Sequence, residues 1–167
     1  MRNLLSKTVS TPVQDLALLA ARVVLGVVLI AHGWQKLSDQ GLDATAAGFD
    51  AMGIPAPLAS AYYATFVELV GGAMLVAGLL TRLVGVLVVG DMLGAFWFAH
   101  RGTEIFVDQG GWELVALIGA VALALVAAGA GRLSVDAGFT KATGVALAPD
   151  SVPADGQAHR DKELISR

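Results

Sequence analysis

LASAYYATFVELVGGAMLVAGLLTR, residues 58–82, is an apolar run long enough to cross a bilayer, with one carboxylate, Glu68, near its middle. A spanning helix needs roughly 20 apolar residues at 1.5 Å of rise each, and a charge near the midpoint costs about 3 kcal/mol on insertion scales. Glu68 therefore has to face protein rather than lipid. With helical spacing its neighbours on that face are Ala61, Ala64, Gly71, Gly72 and Leu75, which include small residues that let a second helix come close.

The composition agrees with a lipid-bounded core. The chain has 167 residues, 56% hydrophobic and 15% charged, with a mean hydropathy of +0.69, values typical of one membrane domain. There is no cysteine, which excludes disulfides, thiolate metal ligands and a dithiol relay within the chain. A net charge of −3 without a dense basic run leaves no footprint for nucleic acid.

Working outward, four spans are expected, at about 16–34, 58–80, 83–99 and 112–130, in a membrane domain covering 16–137. Residues 1–15 read as a cytoplasmic N-terminal segment, and the first apolar run is too long and lacks the cleavage pattern of a signal peptide. Residues 35–57 form the longest polar connection, with a short surface helix from Asp43 to Met52, capped by Asp43 and stopped by Gly53 and two prolines. Thr81 and Arg82 read as the tight return between the second and third spans. In the fourth span Ala116, Leu117, Ala120, Ala124, Ala127 and Gly131 form a stripe expected to be buried in the bundle, with Glu113 pointing inward at its outer end. From Gly138 to Arg167 the chain reads as a flexible cytoplasmic tail. Lysine and arginine placement predicts an N-in, C-in arrangement, since Arg2, Lys7, Arg82, Arg132 and the basic tail residues then lie inside against Lys36 and Arg101 outside. Trp34, Tyr62, Tyr63, Trp97 and Trp112 then fall at the outer interface.

Depth along the spans sorts the polar residues into two layers. Counting 1.5 Å per residue puts Glu68 about 15 Å below the outer edge and Asp91 about 13 Å above the inner one, where Arg22 of the first span can meet them. Arg22 either snorkels to the headgroups or pairs internally along a face with Gly26, Leu29, Gly33 and Lys36. The inner network of Arg22, Glu68 and Asp91 is either a packing device or a proton or substrate relay. The outer layer gathers His32, Lys36, Tyr62, His100 and Glu113, residue types suited to a ligand site, a metal site or the head group of a quinone entering from lipid. No spacing among them marks a metal motif, and none is assigned.

Several short stretches together resemble the DoxX family of small four-helix bacterial membrane proteins. They are Arg22 with HGWQK (32–36), GIPAP (53–57), Glu68 with GGAMLVAGLLTR (71–82), and GAGRLSVD (129–136). The resemblance implies an all-α, multi-pass bundle in the bacterial cytoplasmic (inner) membrane. It further implies an integral component of an oxidoreductase or oxidative and thiol-stress assembly, anchoring soluble redox enzyme partners and linking them to quinone. Two other readings stay open at this point: a quinone-binding enzyme subunit in its own right, and a small-solute or proton transporter. Oligomerisation is open as well.

Overall fold

The computed structural model of the protein describes residues 11–143. The expected segments at 1–10 and 144–167 lie outside them. Every regular element among the described residues is helical. Helix α1 runs Thr11–Trp34 and continues into a π-helical stretch, Gln35–Gln40, ended by Gly41 at φ 82°. Helix α2 is short, Leu42–Ala51, and Asp43 stands in its first turn while Gly41 occupies the cap position. Helix α3 spans Pro57–Ala77 with Pro57 in its first turn, where a missing N–H costs nothing. Helix α4 spans Thr81–His100, α5 Glu113–Ala128 and α6 Val135–Thr143.

Helices α1, α3 and α4 are long and apolar enough to cross a membrane; α5 is a shorter apolar helix of 16 residues. Their interior is built from Leu25, Leu29, Leu75, Val84, Val88 and Leu125 with smaller contributions around them. Helix α1 packs along α3, and α4 along α5. Close approach explains the glycines of α1: a Cβ at Gly33 would stand 2.7 Å from the Leu69 nitrogen, and one at Gly72 of α3 would stand 2.8 Å from the Gly26 oxygen. The face predicted around Glu68 is buried throughout, from Ala61 and Ala64 to Gly71, Gly72 and Leu75.

The return between α3 and α4 falls earlier than the sequence suggested. Gly78 at φ 71° closes α3 in a Schellman arrangement, with Gly78 N–H donating to Leu75 O and Leu79 N–H to Met74 O. Thr81 and Arg82 therefore belong to the first turn of α4.

Helix α5 is rotated relative to expectation. Its buried residues are Ile118, Ala122 and Leu125, whereas Ala116, Leu117, Ala120, Ala124 and Ala127 face outward. Lipid tails are as apolar as a protein core, so hydrophobicity alone does not choose the buried face of so uniformly apolar a helix. Ile118 and Leu125 enter the core with Ala122 between them, while Leu117 and Leu123 stay outside with the other alanines. The chain after α5 is also more ordered than expected, because α6 covers the point where the tail was expected to begin.

Candidate functional site

Glu68 and Lys36 come together. Lys36 Nζ donates to Glu68 Oε2 at 2.6 Å, with 19% of the lysine side chain and 7% of the glutamate side chain exposed. Both lie on π-helical stretches, Gln35–Gln40 and Val67–Gly71. A π turn inserts an extra residue into the helical ladder and is common at functional sites. The contact of Gly33 with Leu69 sets the level of Lys36, drawing the end of α1 down beside the middle of α3. Thr45 of α2 lies over this end of α1, its hydroxyl 3.0 Å from Gly41 O and 3.4 Å from Lys36 O.

Asp91 of α4 is within electrostatic range of both Glu68 and Lys36. Tyr63 of α3 is within range of Asp91, and its hydroxyl donates to Leu87 O at 3.1 Å. Thr65, one turn before Glu68, is buried, and its hydroxyl has no partner among the described residues. Two carboxylates and one ammonium carry a net charge of −1, which a single proton neutralises. In an apolar bundle such a cluster is suited to accepting and releasing a proton.

Arg22 is not part of this cluster. It is fully buried, so it does not snorkel, and it sits at the end of the bundle that carries the α3–α4 turn. Nη2 donates to Leu133 O at 2.5 Å and Nη1 to Leu75 O at 3.3 Å, while Nε has no partner among the described residues. Its nearby counter-charge is Asp136. The Asp136 carboxylate accepts from Leu80 N–H at 2.8 Å and Thr81 N–H at 3.1 Å, and its own N–H donates to Gly78 O. Leu80 has a left-handed backbone, φ 48°, a strained conformation for a leucine that these two bonds hold in place. Asp15 completes the clasp: Arg132 N–H donates to Oδ1 at 3.0 Å and Arg132 Nε to Oδ2 at 2.5 Å. The grouping of Arg22, Glu68 and Asp91 by depth is thus divided between two places, a structural clasp around Arg22 and a charged cluster of Lys36, Glu68 and Asp91. Asp15, Arg132 and Asp136 were missed, although GAGRLSVD held two of them.

The five residues of the outer layer do not converge either. Besides Lys36, His32 uses Nδ1 on Val28 O of its own helix at 2.9 Å. His100 uses Nδ1 on Gly110 O at 2.9 Å, and Glu113 accepts from Val107 N–H at 2.8 Å, so both fasten the 101–112 loop. Tyr62 is exposed. Among the described residues no group of three or more His, Cys, Asp or Glu could hold a metal ion.

Comparison with known proteins places these features in a family. The DoxX family model matches residues 17–101, from α1 to the loop after α4. The chain is 31% identical over 111 residues to a Bacillus subtilis (strain 168) protein named "Putative oxidoreductase CatD", covering 66% of this chain and 79% of that one. It is 30% identical over 125 residues to "Inner membrane protein YphA" of Escherichia coli (strain K12), covering 71% and 87%. An uncharacterised Haemophilus influenzae protein is 32% identical over 123 residues. No solved structure matches the chain.

Proposed function

The chain belongs to the DoxX family of membrane proteins, and on that premise we propose that it is the bundle-forming component of a redox assembly in the bacterial inner membrane. In this reading α1, α3, α4 and α5 make four spans, N-in and C-in, with residues 16–137 as the membrane domain. Soluble redox partners are anchored at the cytoplasmic side, on the tail and the end held by the Arg22 clasp. The Lys36–Glu68–Asp91 cluster handles the protons that accompany electron delivery to quinone.

The observation that carries the reading is the cluster itself. A Lys–Glu pair with a second carboxylate in range is costly inside a bilayer, and such groups mark proton or ion paths. The name of the Bacillus subtilis relative points to redox chemistry for that protein. Quinone, when bound, supplies a two-electron, two-proton acceptor; this chain supplies the proton-holding carboxylates. Thiol chemistry belongs to a partner or a substrate, since the chain has no cysteine.

The test is purification of the tagged protein from native membranes in mild detergent, with everything that stays bound identified by mass spectrometry. A soluble oxidoreductase in fixed stoichiometry, lost on deletion of residues 140–167, is the expected result. A bundle that purifies alone from native membranes, and conducts protons in sealed vesicles in a Glu68-dependent way, would replace the reading with transport.

A further inference from the structure

Asp91 lies near the middle of α4, and it makes no hydrogen bond to any described residue. It is partly exposed, and its neighbours along the same flank are Gly90 and Gly94. A Cβ at Gly94 would meet nothing within 4 Å, and one at Gly90 would meet only the Tyr63 hydroxyl, at 3.6 Å. On the helix Leu87, Asp91, Gly94 and Phe98 share one face, and Leu87 and Phe98 are themselves 39% and 37% exposed. The two glycines therefore leave a notch between larger apolar side chains. Asp91 is at its base, and the Tyr63 hydroxyl is beside it on the α3 side.

Water satisfies a carboxyl on a soluble protein, but this one opens toward lipid, where an unpaired polar group costs several kcal/mol by order of magnitude. The surround is apolar and the fixed charges in range are Lys36 and Glu68, already paired with each other. An anionic head group would be repelled by Asp91 and Glu68. A second copy of the chain packed on the Gly90–Gly94 face is the competing occupant, which cross-linking between chains separates from a lipid-soluble molecule. The apolar surround and the unpaired carboxyl fit a neutral oxygen-bearing head on an apolar tail, its oxygen accepting from a protonated Asp91; the Tyr63 hydroxyl, its proton given to Leu87 O, lines the site beside it.

We propose that the notch formed by Asp91, Tyr63, Gly90 and Gly94 is a binding site, open to the membrane, for the neutral carbonyl or hydroxyl head of a lipid-soluble molecule. The site stands independently of the redox reading. If that reading holds, the head is that of a quinone, whose proton-accepting oxygens would then lie next to the charged cluster.

The experiment uses the full chain in nanodiscs with a photoreactive short-tailed benzoquinone as the probe, and unlabelled benzoquinone or dodecanol as competitors. Trypsin cutting after Arg82 and Arg101 releases Leu83–Arg101, the peptide holding the notch. The expected result is label concentrated on this peptide, reduced at least fivefold in Gly94→Leu, which fills the notch, and at least threefold in Asp91→Leu, which removes the carboxyl donor. Competition by benzoquinone alone identifies a quinone site; equal competition by dodecanol identifies a general site for oxygen-headed lipids. Label spread evenly over the spans, or unchanged in both variants, overturns the proposal. Chemical cross-linking of Gly94→Cys to Gly94→Cys between chains in native membranes, with no labelling of the peptide, also overturns it in favour of a second copy. Neither outcome bears on whether a soluble partner co-purifies, so the two readings fail separately.

Discussion

Lys36 Nζ and Glu68 Oε2 are 2.6 Å apart although the residues belong to different helices, and each is carried by a π-helical stretch. Removing one partner leaves an uncompensated charge within the bundle. Glu68→Ala is expected to lower the stability of the detergent-solubilised protein by about 2 kcal/mol, below the roughly 3–5 kcal/mol of a fully buried pair because the lysine is partly exposed. Replacing both residues, Lys36→Met with Glu68→Leu, is expected to cost less than the single change. Denaturant unfolding of the three variants followed by tryptophan fluorescence measures this; a double variant no more stable than Glu68→Ala would show that the pair does not act as a unit.

The clasp around Arg22 is structural. Arg22→Ala removes both bonds to the Leu75 and Leu133 carbonyls and is expected to cost about 3–5 kcal/mol, as for a broken buried charge network. Arg22→Lys recovers only part, because a single ammonium does not reproduce the guanidinium fork. Hydrogen exchange should show the loss concentrated in residues 129–136 and at the Leu80 and Thr81 amides. Protection unchanged in those segments would contradict the clasp.

Two glycines of the apolar helices are expected to behave in opposite ways. Gly33→Val drives its side chain into the Leu69 backbone and should separate α1 from α3, whereas Gly94→Ala enters open space and should be tolerated within about 0.5 kcal/mol. Disulfide trapping between cysteines placed on α1 and α3 reads the difference: efficient in Gly94→Ala, abolished in Gly33→Val.

The ring nitrogens of His32 and His100 that make hydrogen bonds are committed to backbone carbonyls. His32→Gln and His100→Gln are therefore expected to change the redox turnover of the native assembly by less than twofold. A tenfold loss in His32→Gln with normal expression would restore the outer residues to the site.

Much of this was legible in the chain. The helical spacing around Glu68 identified a buried face correctly, because a lone carboxylate in an apolar run permits one orientation. The partner of Glu68 was not legible. Depth counting placed Trp34 and Leu58 at a common edge, yet α1 continues to Gln40 and Gly33 meets Leu69, eleven residues beyond Leu58. That offset, about 16 Å of helix rise, carried Lys36 from the outer layer to the middle of α3. The outward stripe of α5 was misread for a different reason: Ala120 and Ala124 look like packing residues, but in lipid an alanine face gains no more from burial than a leucine face. The clasp was hidden because most of its bonds run to backbone atoms, and its one side-chain pair, Asp15 with Arg132, joins residues 117 apart in the sequence.

The most direct test of the central claim compares native assemblies purified through the wild-type chain and through Glu68→Gln, with partner stoichiometry and the rate of quinone reduction measured on the same preparations, using the reductant that the partner accepts. The expected result is equal stoichiometry with a rate at least tenfold lower in Glu68→Gln, since the cluster has lost the charge that pairs with Lys36. Equal stoichiometry with an equal rate would contradict a role for the Lys36–Glu68–Asp91 cluster in the redox chemistry and leave it as a packing device.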